Sequence, residues 1–528
     1  MLLYQIALTL IPGIGDITAK KLIAYCGSAE AVFKEKKKNF EKIPGIGETL
    51  AGAIANQNVL KHAEDELKFI EKYKIKTFYF LDANYPARLK QCVDSPVMLY
   101  FKGDANMNVE KVIAIVGTRS ASDYGKGFTN QLIVDLTEQQ VLVVSGLAYG
   151  IDTAAHKAAL KNNLPTIAVL AHDGYDKPTV MVTEGYNADY AANPRYSEEL
   201  TRLLDANQIV VEHRYFGKSV PNPKDWKYMT VEEAAADHHA VVQLFKKLYT
   251  GKWITTGISK GGQTSIYHHY FYPNDMDATV AYVAPINFAR EDPREDTFLQ
   301  KVGDKSCRAR IFAFQQNVFK NKSKLLPLMI KDSEKKNLHF TRLSPDEAFN
   351  YMVLEYPFSF WQWGSDCDKI PAKNISPEKL YDYFSNIVQP YYYSDEGITA
   401  FEPFFYQANT ELGYYGYDEK PFRKWLKNND YPNTIFAPQE VTTVYHPESM
   451  RKVDEWLQNK ATNLICIYGG NDPWEASAAR IDKNINTLKM IGKGGSHATR
   501  IATLTKEQQE QIYSTLEKWL DVKVKHPK

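Results

Sequence analysis

The 528-residue sequence predicts an α/β chain made of two unlike parts. Three observations predict it. Short apolar runs ending in glycine loops alternate with amphipathic stretches, as parallel sheets with crossover helices require. One glycine turn near the start is duplicated. All eight tryptophans lie beyond residue 173. The chain is too long for one hydrophobic core, so two or three domains are expected. Lys plus Arg number 20 against 18 acidic residues up to Asp173 and 44 against 45 afterwards, so charge alone demands no nucleic-acid partner.

The first element is the duplicated turn. Ile11-Pro12-Gly13-Ile14-Gly15 recurs as Ile43-Pro44-Gly45-Ile46-Gly47, each between helical segments. This is the helix-hairpin-helix pattern, whose glycine turn offers backbone N–H groups at a helix N-terminus to a phosphate. Gly13, Gly15, Gly45 and Gly47 are therefore candidate DNA contacts, though such hairpins also serve as protein contacts. Lys36–Lys38 reads as a solvated face. A Rossmann-like half follows. Lys111–Val116 is a strand ending in Gly117-Thr118-Arg119-Ser120, with a helix from about Tyr124. Val141–Val144 is the next strand, leading to Ser145-Gly146-Leu147-Ala148-Tyr149-Gly150 and a helix over Thr153–Leu160; Thr166–Leu170 is the third. Gly117, Ser145 and Gly146 thus lie at carboxyl ends of parallel strands, where helix N-termini favour anions.

The second part opens with Thr179–Thr183, a buried strand, and its loop Glu184-Gly185-Tyr186-Asn187. Gln208–Val211 is the next strand, and Thr230-x-x-Glu233 forms a capping box for a helix through about Tyr249. The apolar Trp253–Thr256 then runs into Gly257-Ile258-Ser259-Lys260-Gly261. That is a Gly-x-Ser-x-Gly nucleophile elbow, the strand-to-helix turn that lifts a serine hydroxyl above an α/β-hydrolase sheet. Glycines are needed there because larger side chains would collide where the strand folds back.

In that fold an acidic residue and then a histidine follow the serine. Leu464–Tyr468 is a short buried strand, and Gly469-Gly470-Asn471-Asp472-Pro473-Trp474 is the loop after it. Only His497 and His526 come later, and His526 sits in the polar tail. His497 ends Gly492-Lys493-Gly494-Gly495-Ser496-His497, between the apolar Leu488–Ile491 and an amphipathic helix near Lys506–Leu520. Ser259 is the expected nucleophile, His497 the general base and Asp472 its orienter. The expected oxyanion donors are the backbone N–H of Lys260 and one from Gly185 or Tyr186.

Four separate motifs carry a resemblance for the second part. Glu212–Ser219, Thr256–Gly262, Leu354–Gly364 and Tyr468–Trp474 together resemble the bacterial tripeptidyl aminopeptidases of the PS-ten type, over about Gly174 to Lys528. The likeness extends more distantly to the lysosomal prolyl carboxypeptidase and dipeptidyl peptidase group. It implies release of short peptides from free N-termini, often around proline, and a large helical cap, which the aromatic-rich insertion from about Asn287 to Tyr431 matches. It also implies an acidic anchor for the substrate's amino group. Glu355 and Glu212 are the candidates; a structural ion pair, for instance Glu212 with Arg214, is the alternative.

In the first part, the two strand-end loops together with Tyr85-Pro86 and Pro96–Gly103 resemble the DNA-processing family called DprA or Smf. That resemblance implies single-stranded DNA binding and recombinase loading in natural transformation, with Arg119, in the family's Gly-Ser/Thr-Arg motif, on phosphate. The likeness stops near His172, before a downstream Arg-Asn-Arg segment of the family's pocket. The peptidase-like part lacks its family's leader and opening antiparallel strands. The two meet near Ala171–Gly174 with no Gly/Ser/Pro-rich linker, which reads as a fusion of two truncated regions.

The expected organisation is a helix-hairpin-helix domain over residues 1–75 and a truncated Rossmann-like region over 76–172. An α/β-hydrolase core follows in two pieces, 174–286 and 432–528, around a mainly helical cap at 287–431. Five scattered cysteines without a CxxC pair give no metal signature and no disulfide framework. No metal or cofactor is expected. Met1–Leu10 lacks a basic n-region and reads as no signal peptide, so a cytoplasmic chain is expected, although the peptidases it resembles are usually exported. Expected partners are peptides with free N-termini and, through the first part, single-stranded DNA; no membrane is expected, and the oligomeric state stays open. The alternatives are a DNA-binding recombination protein with an inactive hydrolase part, and an esterase using the same three residues.

Overall fold

A computed structural model describes residues 1–11, 13–118, 121–148, 150–170, 177–193, 196–427, 430–481 and 486–526. The chain divides into two compact units, Met1–His172 and Asp173–Lys528. The expected junction at Ala171–Gly174 lies outside the described residues.

In the first unit the two glycine turns fold alike. Gly13 and Gly45 take φ of +83° and +88°, a left-handed conformation that glycine adopts at little cost. Ile14 N–H donates to Ile11 O at 3.1 Å and Ile46 N–H to Ile43 O at 3.0 Å. Gly15 and Gly47 then cap the helices Asp16–Cys26 and Glu48–Ala55. All four isoleucines are buried in one core with the helices Leu2–Thr9 and Leu60–Tyr73. Strand β1 (Lys76–Tyr79) pairs antiparallel with β2 (Met98–Phe101). Beyond them β3 (Val112–Ala114), β4 (Leu142–Ser145) and β5 (Thr166–Ala168) form a parallel sheet in the order β3-β4-β5. The helices Asp123–Asp135 and Ile151–Lys161 pack on it around Ile133, Val143 and Ala155. Its end strands span three residues each, shorter than the apolar runs suggested, although Ile115 N–H still donates to Val144 O at 2.9 Å and Val169 N–H to Ser145 O at 2.8 Å.

The second unit is built on six strands: β6 (Thr179–Thr183), β7 (Asn207–Val211), β8 (Trp253–Ile258), β9 (Ala278–Tyr282), β10 (Leu464–Gly469) and β11 (Thr487–Gly492). Every pairing is parallel, in the order β11-β10-β9-β8-β6-β7. The inner strands are apolar on both faces because helices cover both. On one face Ile512, Leu516 and Leu520 of the terminal helix Lys506–Leu520 pack against Val180, Ile254 and Ile467. On the other, Met450, Val453 and Leu457 of Glu448–Asn459 pack against Ala281, Cys466 and Tyr468. The chain steps outward from β6 to β7, then returns to β8 on the far side of β6. Strand order therefore reverses between β6 and β8, the kind of switch point at whose carboxyl ends open α/β sheets bind ligands.

Thr230 caps the helix Val231–Phe245 by accepting from Glu233 N–H at 3.2 Å. The return half of the expected capping box is absent from that cap; the Glu233 carboxylate lies 3.3 Å from Arg214 instead. The inserted segment has its own core, in which Phe314, Val318, Phe349, Met352, Tyr356 and Phe384 join several helices, among them Lys305–Lys320 and Pro345–Gln362. Contrary to the sequence expectation, Cys307 and Cys367 form a disulfide. No local spacing marks the pair, which lies 60 residues apart and is brought together by helix packing. Among the described residues no helix is long and apolar enough to cross a membrane.

A disulfide typically contributes about 2–4 kcal/mol, with longer loops at the upper end. Reduction, or Cys307→Ser with Cys367→Ser, is expected to lower the thermal midpoint of the second unit; calorimetry with and without reductant measures it.

Candidate active site

Strand β8 ends at Ile258, and the next residue, Ser259, takes φ +57° and ψ −124° before the helix Lys260–Phe271 begins. A non-glycine residue in that region stores on the order of 1–3 kcal/mol of backbone strain. The turn is held by Ser259 N–H donating to Tyr282 O at 2.8 Å and by Gln263 N–H donating to Ser259 O at 2.9 Å. A Cβ on Gly257 would lie 2.3 Å from the Gly261 carbonyl carbon, and one on Gly261 would lie 2.5 Å from Thr183 O. Those contacts give the steric reason for both glycines.

Asp472 and His497 follow β10 and β11, at the same end of the parallel sheet. Their loops are zipped by Gly470 N–H to Gly492 O and Asn471 N–H to Gly495 O, both 2.8 Å. Asp472 is fully buried and His497 is 5% exposed, and Asp472 Oδ2 lies 2.6 Å from His497 Nδ1. A carboxylate there accepts the Nδ1–H, which leaves Nε2 as the ring's acceptor. Asp472 Oδ1 accepts from Trp474 N–H at 3.3 Å. The end of the helix Pro345–Gln362 braces the histidine from the other side. His497 N–H donates to Gln362 O at 2.8 Å, and the Trp363 ring stands edge-on at 5.7 Å. Among the described residues neither the Ser259 hydroxyl nor His497 Nε2 makes a hydrogen bond, and the two are not bonded to each other.

The loop after β6 lies directly against the elbow. A Cβ on Gly185 would fall 2.5 Å from Lys260 Cβ and 2.8 Å from Gly261 N, so only glycine fits. Tyr186 O accepts from His213 N–H at 3.1 Å, and its ring packs edge-on against Phe216 and Phe401. The Lys260 side chain is 3% exposed, and burial pushes its ammonium well below the ordinary lysine range.

The two candidate anchor carboxylates differ. Glu212 accepts from Ala188, Lys218 and Ser219 N–H and from the Ser219 hydroxyl, all within 2.8–3.1 Å. It organises its own loop, and Arg214 pairs with Asp237 rather than with Glu212. Glu355, 6% exposed on the helix Pro345–Gln362, accepts from Ser359 Oγ at 2.6 Å, Tyr415 OH at 2.7 Å and Tyr417 OH at 3.3 Å. Burial raises its carboxyl to about 7. Tyr415 stacks on Phe358 at 3.6 Å and meets the Trp474 ring at 5.4 Å, which joins this cage to the Asp472 loop. Sequence reasoning missed the cage tyrosines; their only local mark is the run Tyr414-Tyr415-Gly416-Tyr417.

In the first unit, the helices behind Gly15 and Gly47 each carry an acid in the first turn. Asp16 Oδ1 accepts from Val97 N–H at 2.7 Å, and Glu48 pairs with Lys37 at 3.3 Å. Gly117 is closed by Ile151, 2.6 Å from its would-be Cβ. The Ser145 hydroxyl is buried and donates to Ile115 O at 2.6 Å, so it faces β3 rather than the loop. Gly146 lies over Asp152, and its carbonyl is 2.7 Å from His156 Nε2. Arg119 lies outside the described residues.

Comparison with known proteins fits this layout. The profile of the PS-10 peptidase S37 family matches residues 143–526, more than half of the chain. The chain belongs to that family. A relative in Streptomyces mobaraensis, prolyl tri/tetrapeptidyl aminopeptidase, is 34% identical over 378 residues, covering 70% of this chain and 78% of that protein. Residues 76–185 match DNA recombination-mediator protein A, so the S37 match and this one overlap across the junction. DNA processing protein DprA of Streptococcus pneumoniae is 43% identical over 100 residues, 19% of this chain and 35% of that protein. Protein Smf of a Synechocystis strain is 30% identical over 174 residues, 32% of this chain and 43% of that one. The chain therefore spans less than half the length of these DprA and Smf relatives, whereas its S37 region spans most of its relative.

Proposed function

We propose that the chain is a serine exopeptidase that releases short peptides, with a preference around proline, from free N-termini. The observation that carries this reading is the buried 2.6 Å contact of Asp472 with His497, at the same end of the parallel sheet as the strained Ser259 elbow. His497 Nε2 takes the Ser259 proton as Oγ attacks the scissile carbonyl, and the imidazolium is stabilised by Asp472. The tetrahedral oxyanion is met by the N–H groups of Lys260 and of the Gly185–Tyr186 loop. Collapse breaks the C–N bond, the proton passes from His497 to the leaving amine, and an acyl-enzyme remains. Water, deprotonated by His497, then frees the short peptide and Ser259.

Glu355 is the anchor for the substrate's ammonium, and Glu212 is not needed for it. The relative's name supports the peptide class, as does the helix geometry. Glu355 and Gln362 lie seven residues apart on one helix, about 10 Å of rise. Three extended residues span about the same distance. A second reading, single-stranded DNA binding by the first unit, is favoured by the recombination-mediator match at residues 76–185.

Ser259→Ala is expected to abolish turnover of a proline-containing tripeptide amide with a free N-terminus, and Asp472→Asn to lower kcat by about 10⁴-fold. Unchanged hydrolysis by Ser259→Ala would sink the reading.

Glu355 must be ionised and the peptide amine protonated for the pair to form. KM for a free-amine substrate is therefore expected to rise as pH falls below about 7, where the Glu355 carboxyl gains its proton. It should rise again above about 8 as the amine loses its own. Glu355→Gln flattens the acid side of that profile and removes the preference over the N-acetylated substrate; a retained preference moves the anchor elsewhere.

DNA binding by the first unit, measured by fluorescence anisotropy on an oligonucleotide, is expected to weaken with salt and with Arg119→Ala. Tight binding indifferent to Arg119→Ala places the contact on other residues.

A further inference from the structure

Lys260 carries two groups that bear on the proposed reaction, and the mechanism above uses only its backbone N–H. Its side chain turns back beneath the loop after β6 and is almost fully buried. Nζ donates to Gly185 O at 2.9 Å, and lies 5.8 Å from the centre of the Tyr186 ring and 5.5 Å from that of Phe216. Among the described residues no carboxylate pairs with it. A buried amine without a counter-ion is costly, so its one strong contact, the Gly185 carbonyl, is the place to look for its use.

That carbonyl belongs to the Gly185–Tyr186 peptide. A trans peptide is planar, with C=O and N–H pointing in opposite directions. Fixing Gly185 O on Lys260 Nζ therefore fixes the Tyr186 N–H on the side away from the ammonium. The following plane is fixed too, because Tyr186 O accepts from His213 N–H. Among the described residues the N–H groups of Tyr186 and Lys260 have no acceptor, as donors reserved for a developing charge should. The side chain reaches the carbonyl because residue 185 has no Cβ; one there would meet Lys260 Cβ and Cγ at 2.5 and 2.7 Å.

We infer that the Lys260 side chain is the positioning residue of the oxyanion hole: by holding the Gly185 carbonyl it aims the Tyr186 N–H at the tetrahedral oxygen formed on Ser259. This rests on the peptidase reading. One residue thus supplies a donor through its backbone and orients a second donor through its amine.

The test is Lys260→Met, which keeps the stem and removes the donor. A misaimed oxyanion donor is expected to lower kcat roughly 10- to 100-fold with KM nearly unchanged. Affinity for a peptide aldehyde, whose hemiacetal with Ser259 places an oxyanion in the hole, falls by the same factor. Affinity for the tripeptide product stays as in wild type, which a merely structural role would not spare. Wild-type kcat and aldehyde affinity in Lys260→Met, or product affinity falling in parallel with aldehyde affinity, overturns the inference. If Lys260→Met does not fold, the wild-type aldehyde adduct decides by crystallography. Its oxygen must lie within about 3.1 Å of both Lys260 N and Tyr186 N while Gly185 O stays on Nζ. An oxygen elsewhere refutes it. Wild-type protein that neither cleaves peptides nor binds the aldehyde fails earlier, at the peptidase reading itself.

Discussion

The second unit depends on one close approach: the elbow helix lies directly on the backbone of the strands it connects. Gly257, Gly261 and Gly262 each face backbone atoms at distances that no Cβ tolerates. Because the helix sits so low, its first N–H groups end beside the loop after β6 and Ser259 is forced into its strained conformation. Loosening the contact would lift the helix, relax the serine and separate the loop from the elbow together. The buried parallel sheet provides the rigidity, since strands covered on both faces cannot shift singly to accommodate a larger residue.

A second dependence runs through the helix Pro345–Gln362. It bears the tyrosine-caged Glu355 in its interior, and its end accepts the backbone N–H of His497. Glu355, Tyr415, Trp474 and Asp472 form one packed series, so the insertion is mechanically part of the site. A substrate bound under the insertion would touch the same helix that fixes the imidazole.

What the sequence made legible was local or ordered along the chain. The Gly-x-Ser-x-Gly turn, the Asp472 loop after an apolar strand and His497 in the glycine loop behind β11 are each written in a few consecutive residues. The terminal helix Lys506–Leu520 is likewise marked by its cap and period. The features that escaped are long-range. The Cys307–Cys367 bond, the Tyr415 and Tyr417 hydroxyls on Glu355, and the Lys260 contact with Gly185 join residues whose spacing has no rule. Ser145 and Glu212 show the complementary limit. Both stand in loops of the right kind, yet their polar atoms are turned to neighbouring backbone, which residue type alone does not disclose. Strand β9 has no clear mark in the sequence because Ala278–Tyr282 is short and mildly apolar, and its place is set by pairing with β8 and β10.

The cystine in the insertion bears on where such a chain works best as a whole. Disulfides persist where the surroundings are oxidising, and cytosolic thiol buffers keep cysteines reduced. In reducing surroundings the Cys307–Cys367 bond would open and the insertion would hold together by side-chain packing alone, so the redox state around the chain sets how firmly that insertion is braced.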